Sequence, residues 1–143
     1  MTINKAAAQW EGTLKNGKGT MKPAHASEIP FSLATRFEGQ PGSNPEEVIG
    51  AALAGCFSMA LSVGLERAGA TPKMINTSAT VKLDKQGEGF TVTAINLTTE
   101  VVASNIDATK FQEVAQATKK ACPISKALAA VPDITLEATL KPA

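Results

Sequence analysis

The sequence predicts an α+β protein with a largely antiparallel sheet, and three observations carry that reading. Short segments alternate apolar and polar residues with period two, as in FSLATRF at 31–37 and ITLEATL at 134–140. One long stretch, 44–69, is signed as a helix at both ends and has no charge from 48 to 65. Turn-rich segments separate these pieces in the order β-β-β-α-β-β-α-α-β, a pattern of segregated strands and helices. The 143 residues, 43% of them hydrophobic, are read as a single domain, 1–143, with enough apolar content for a core.

Taken in order, residues 8–14 and 18–22 read as a hairpin. Asn16-Gly17 suits a two-residue type I′ turn, and Trp10 and Leu14 share one face. The segment 23–30 is a loop holding His25, and 31–37 follows as a strand with Phe31, Leu33, Thr35 and Phe37 on one side. Arg36 then points to the other side. EGQPGS at 38–43 is a connector. The long helix begins with Asn44 as N-cap and Pro45 at the first helical position, with Glu46 and Glu47 on the positive end of the dipole. Asn44 and Glu47 approximate a capping box. Gly69 suits an αL end, and Pro72 prevents continuation.

That helix is apolar all the way round, which predicts burial on every side. At ~1.5 Å per residue it is about 36 Å long. A domain of this size has a radius of gyration near ~14–15 Å, so burial against a partner chain as well as the chain's own sheet is expected. Further on, a strand to about Asp84 has Ala79, Val81 and Leu83 inward. The turn 85–89 leads into a strand at 90–102 whose phase changes near Ala94–Ile95, as a bulge would produce. Asp107 caps a second helix with Phe111, Ala115, Thr118 and Cys122 on one stripe. Pro123 opens a third, short helix to about Ala130, and 134–140 closes the chain as a strand.

Composition excludes several function classes. A net charge of +1 and a pI near 7.7 argue against nucleic acid or an anionic membrane as partner. Aromatics are 4% with no Tyr, too few for base stacking. The opening MTINKAAAQWEG has no signal-peptide apolar run, and the 44–69 helix, rich in Ala and Gly between amphipathic strands, reads as core. A cytoplasmic location is therefore expected. There is no CxxC and only one histidine, so no zinc set, and no glycine-rich loop for a nucleotide.

Two cysteines remain, Cys56 in the long helix and Cys122 before Pro123. In a reducing compartment they are free or redox-active rather than a staple. Each falls on the apolar face of a helix, so a pair of small core hydrophobes is the simpler reading on spacing alone. Local electrostatics would pick Cys122 as the more activated thiol, since it stands just ahead of a helix start.

The segments QWEG, GKGT, TRFEG, NPEEVIGAALAGCFSMALS, KLDK and CPIS, in this order across the chain, resemble the OsmC/Ohr family, and TRFEG and CFSMALS its OsmC branch. The family consists of thiol-dependent peroxidases that reduce organic hydroperoxides. The resemblance implies an OsmC-like fold, antiparallel sheets wrapped around long central helices in an intertwined homodimer. It implies that Cys56 attacks the peroxide, that Cys122 resolves the sulfenic acid to a Cys56–Cys122 disulfide, and that Arg36 and Glu46 support the first thiol. It implies a dithiol reductant of lipoyl type and no metal, flavin or haem cofactor. The physical chemistry is compatible. A buried mid-helix thiol needs a cation to ionise, Arg36 is the available one, and a buried arginine needs an anion, here Glu46. Glu46 and Cys56 are ten residues apart on one helix, about 15 Å, so a second chain is expected to supply Glu46, and Arg36 with it. The rival readings are a peroxide-responsive redox sensor or binding module without turnover, and a structural protein with two inert thiols.

Overall fold

The computed structural model describes residues 1–143. The chain runs β1 (Ala6–Glu11), β2 (Lys18–Pro23), β3 (Ile29–Phe31), α1 (Leu33–Phe37), α2 (Pro45–Arg67), β4 (Thr71–Gln86), β5 (Gly89–Ser104), α3 (Ala108–Ala121), α4 (Pro123–Ala127) and β6 (Asp133–Pro142). This is the α+β class expected, built as two three-stranded sheets, β1-β2-β3 and β4-β5-β6, with four helices. Two compact units divide it, 1–48 and 49–143, the boundary falling inside α2.

In the first unit β1, β2 and β3 form an antiparallel meander. The pairing registers Trp10, Gly19 and Phe31 side by side, and the two rings meet at 5.5 Å between centroids. They meet over Gly19, where a Cβ would fall within 3 Å of both. The two-residue turn at Asn16-Gly17 is not formed. The strands end at Glu11 and resume at Lys18, so 12–17 is a longer loop, and Leu14 lies exposed in it. A type I′ turn needs positive φ at both central residues, and neither Asn16 nor Gly17 has it.

The expected strand 31–37 is also corrected. Only Phe31 stays in β3, and 33–37 is the short helix α1. Ser32 and Thr35 form a reciprocal capping box, Thr35 N–H donating to Ser32 Oγ at 3.2 Å and Ser32 N–H to Thr35 Oγ1 at 2.8 Å. Two satisfied donors at a helix start outweigh an alternation of only seven residues.

The ends of α2 form as the sequence indicates. Asn44 Oδ1 accepts from Glu47 N–H at 2.9 Å. The return bond of a capping box is replaced, because the Glu47 carboxylate accepts from Ser43 Oγ instead. At the other end Gly69 has φ +87, and bonds from Gly69 N–H to Glu66 and from Ala70 N–H to Leu65 close a Schellman motif. All-round burial is not found within the chain. Leu53, Phe57, Leu61 and Leu65, one every fourth residue, are fully buried. Ala51, Ala52, Gly55, Met59 and Val63 on other faces are exposed. By length and composition alone α2 could cross a membrane; its buried stripe belongs to the core of the second unit.

That core is completed by the sheet and α3: Ile95, Leu97, Val101, Phe111 and Ala115. Gly50 lets α2 approach β4, since a Cβ there would lie 3.2 Å from Val81 and 3.4 Å from Ala79. β4 and β5 are a long antiparallel hairpin turned at Gly87-Glu88. Positive φ occurs at Gly87 alone, as in a type II′ turn. The phase change in β5 is a bulge, but at Thr93, one residue before the expected place: Lys82 pairs with Ala94 and Leu83 with Val92. The Thr93 hydroxyl bonds to Asp84 and holds its carboxyl below the ordinary range, with Lys82 adding to the effect. β6 departs from the antiparallel expectation by pairing parallel to β5. The connection between them carries α3 and α4, and such a crossover returns the chain in the same direction.

One polar feature crosses this apolar core. Ser58 on α2 donates to Thr77 Oγ1 at 2.8 Å, Thr77 and Thr99 share a bond of 2.9 Å, and Thr99 donates to the Asn76 carbonyl at 3.2 Å. Since Thr99 is fully buried, its loss leaves the Thr77 hydroxyl without one partner. Thr99→Val, which conserves volume, should lower unfolding stability in urea by about 1–2 kcal/mol. An unchanged midpoint would mean that the hydroxyl chain contributes nothing.

Candidate active site

The residues singled out in the sequence fall into two pairs, one in each unit. Arg36 and Glu46 meet in the first. α1 is five residues long and carries Arg36 in its last turn. Glu46 stands in the first turn of α2. Arg36 Nε donates to both carboxylate oxygens at 3.1 and 3.2 Å, and Nη2 to Oε1 at 2.5 Å. The carboxylate is buried with a side-chain exposure of 11%, against 34% for the arginine. The guanidinium carbon also lies 5.1 Å from the centroid of the Phe37 ring. A planar cation bound along one edge and stacked on one face is fixed in orientation, which lysine could not reproduce. Its Nη1 edge is uncommitted.

Cys56 and Cys122 meet in the second unit. Cys56, half-buried in the middle of α2, packs against the core, and Cys122 is 1% exposed. Both are free thiols. Burial pushes the Cys56 thiol above its ordinary value. The backbone N–H of Ile124 pulls the other way, and the neighbouring Cys122 thiol adds to the rise. No cation is among the groups acting on it.

The turn Cys122-Pro123-Ile124-Ser125 holds this pair together. Cys122 ends α3 and serves as N-cap of α4, with φ −64 and ψ 140. A helix start leaves its first N–H groups without helical partners. Here Pro123 has none, Ile124 N–H is directed at Cys56, and Ser125 N–H donates to Cys122 Sγ at 3.4 Å. Lys126 N–H donates to the Cys122 carbonyl at 3.1 Å. The Cys122 thiol in turn donates to Ser125 Oγ at 3.1 Å. Ser125 is itself buried and was not singled out from the sequence. The available signal was its place at the third helical position after a capping cysteine. His25 is exposed in the turn after β2, and no group of three or more His, Cys, Asp or Glu side chains could hold a metal.

Two neighbouring free thiols, one buried and one half-buried, define a candidate dithiol redox centre. Comparison with known proteins makes the class specific. Residues 37–137 match the family of OsmC-like proteins. The chain is 49% identical to peroxiredoxin OsmC of Escherichia coli (strain K12) over 144 aligned positions, covering 99% of each. It is 35% identical to organic hydroperoxide resistance protein OhrB of Bacillus subtilis (strain 168), over 70% of this chain and 72% of that one. The crystal structure of an OsmC-like protein from Mycoplasma pneumoniae shares the fold, with a TM-score of 0.75 over 97% of each chain at 19% identity. The fold and the thiol pair thus belong to a cysteine-based peroxidase. The chain is a member of the OsmC-like family.

The influences on Cys56 give a directional test. Removing Cys122 removes two of the effects that raise the Cys56 thiol and leaves burial. In Cys122→Ala the Cys56 pKa should therefore fall, so more thiolate is present at neutral pH. Alkylation of Cys56 by iodoacetamide at neutral pH should then be faster than in the wild type. Slower alkylation would contradict the assigned balance.

Proposed function

We propose that this protein reduces organic hydroperoxides to alcohols, using Cys56 as the peroxidatic and Cys122 as the resolving thiol. The carrying observation is the pair itself: Cys56 and Cys122 are both free thiols, near enough for Cys122 to raise the Cys56 thiol. Cys56 thiolate attacks the terminal peroxide oxygen, the O–O bond breaks, and the alkoxide leaves as alcohol after taking a proton. Cys56 becomes a sulfenic acid. Cys122 sulfur then attacks Cys56 sulfur, the S–O bond breaks, and water departs, leaving a disulfide. A cellular dithiol, of lipoyl type by family resemblance, returns both thiols by exchange. The apolar neighbours of Cys56 suit an alkyl or aryl peroxide.

Ionising Cys56 against its burial requires a cation, and the oriented Arg36–Glu46 pair is the one this reading assigns. On α2, Glu46 precedes Cys56 by ten residues, about 15 Å of helix. The reading therefore places the pair of a second chain beside each Cys56, in a twofold homodimer. The exposed apolar face of α2 supports it: Met59 is 75% exposed and Val63 41%, and a Cβ on Gly55 would meet nothing within 4 Å. A monomer leaving that face in water is disfavoured, and its small residues admit a close helix. Residues 1–143 act in this scheme as one OsmC-like domain, in the cytoplasm.

Two experiments test the reading. With cumene hydroperoxide and excess dihydrolipoate, Cys56→Ser should lose turnover. Cys122→Ser should react once and accumulate a sulfenic acid at Cys56 that dimedone traps. Trapping at Cys122 in Cys56→Ser, with none at Cys56, reverses the roles; stoichiometric oxidation without turnover in the wild type makes the protein a sensor. The shared site predicts complementation. Co-refolded Cys56→Ser and Glu46→Ala chains, each inactive alone, should regain activity in heterodimers, up to roughly half of the wild-type sites being intact. Verified heterodimers without activity rule out sharing.

A further inference from the structure

We infer that Ser125 is a catalytic residue of the resolving step, holding Cys122 sulfur as a thiolate while it attacks the Cys56 sulfenic acid. The inference rests on the proposed resolving role of Cys122. Its evidence is local and geometric. Cys122 is 1% exposed, so a thiolate formed there has no water to solvate it and depends on protein donors. Two atoms of Ser125 face that sulfur, the backbone N–H at 3.4 Å and Oγ at 3.1 Å. Ser125 is buried too, at 7%, and Cys122 is the side-chain partner of its hydroxyl.

A serine hydroxyl can accept or donate by rotation about one bond, and this gives the residue its function. In the reduced enzyme the Cys122 S–H donates to Ser125 Oγ. As Cys122 loses that proton, the hydroxyl turns and donates to the anionic sulfur, joining the N–H already aimed at it. Cys122 sulfur then forms the S–S bond with its electron pair, and the Cys56 S–O bond breaks. The oxygen leaves as hydroxide and takes up the proton released by Cys122, so one thiol and one sulfenic acid give one disulfide and one water. When an external dithiol reopens the bond, the same two donors can receive Cys122 as a leaving thiolate. Alanine at this position keeps the N–H and removes the hydroxyl, so the two contributions separate.

The experiment follows pre-reduced protein after one equivalent of cumene hydroperoxide, by rapid quench into dimedone and by intact mass. Ser125→Ala should form the Cys56 sulfenic acid at the wild-type rate but retain it longer, its decay to disulfide slowed roughly ten- to hundredfold, as expected for loss of a hydrogen bond to a charged group. Ser125→Thr, which keeps a hydroxyl, should recover most of the wild-type rate. If Ser125→Ala resolves as fast as the wild type, the inference fails while the two-thiol mechanism stands. Equal slowing in the alanine and threonine variants also overturns it, because packing rather than the hydroxyl would then be felt. Slowed formation of the sulfenic acid in Ser125→Ala overturns it as well, since the residue would then act on Cys56. A wild type that never forms the intramolecular disulfide overturns the resolving role itself and the inference with it.

Discussion

Burial makes Cys56 harder to ionise, and a thiol reacts as its thiolate, so the groups around this side chain decide what it can do. The residue sits in the middle of α2, where neither end of the helix dipole reaches it. Help must come from outside the helix. Within its own unit the help is small, a single N–H from Ile124, offset by a second thiol. In the first unit Arg36 and Glu46 form a charged fork of their own. A guanidinium paired along one edge is neutralised only in part, and its other edge can still meet an anion.

The same helix has to satisfy two demands along its length. Its every-fourth-residue stripe of Leu53, Phe57, Leu61 and Leu65 is large and fully buried, while Ala51, Ala52 and Gly55 on other faces are small. Large residues fill the space above a twisted sheet, and small ones let a backbone approach. A helix patterned for both has almost no amphipathic signature, and only tertiary structure tells its faces apart.

This explains how much of the protein can be read in its sequence. The ends of α2 are legible because caps are local: Asn44 and the Gly69 turn act through bonds between residues three to five apart. The second-unit hairpin and its bulge are legible because period two persists over a long run. The failures lie where a short signal competes with another. Seven alternating residues at 31–37 give way to a Ser32–Thr35 capping box. Asn16-Gly17, a turn pair in isolation, lies in the longer loop 12–17, where Asn16 N–H donates to the Thr13 hydroxyl at 3.3 Å. The parallel pairing of β6 depends on a crossover that no local pattern encodes. The four site residues and their two pairings can be named from motif resemblance, but the sequence does not show Ser125 beside the Cys122 sulfur. Ser58, Thr77 and Thr99 read as ordinary strand and helix positions, and their chain of bonds exists only once α2 lies on the sheet.

Pro123 has a role that its side chain alone does not suggest. The first turn of α4 has three N–H groups to place, and Cys56, the Cys122 thiol and the Cys122 carbonyl take one each. A residue other than proline here would add a fourth N–H, a competitor for the acceptors of this turn. Proline removes that competitor and at the same time fixes φ, so the turn cannot swing to accommodate it. The imino acid in this position thus leaves the turn with three N–H groups for three acceptors, a match achieved by leaving a hydrogen out.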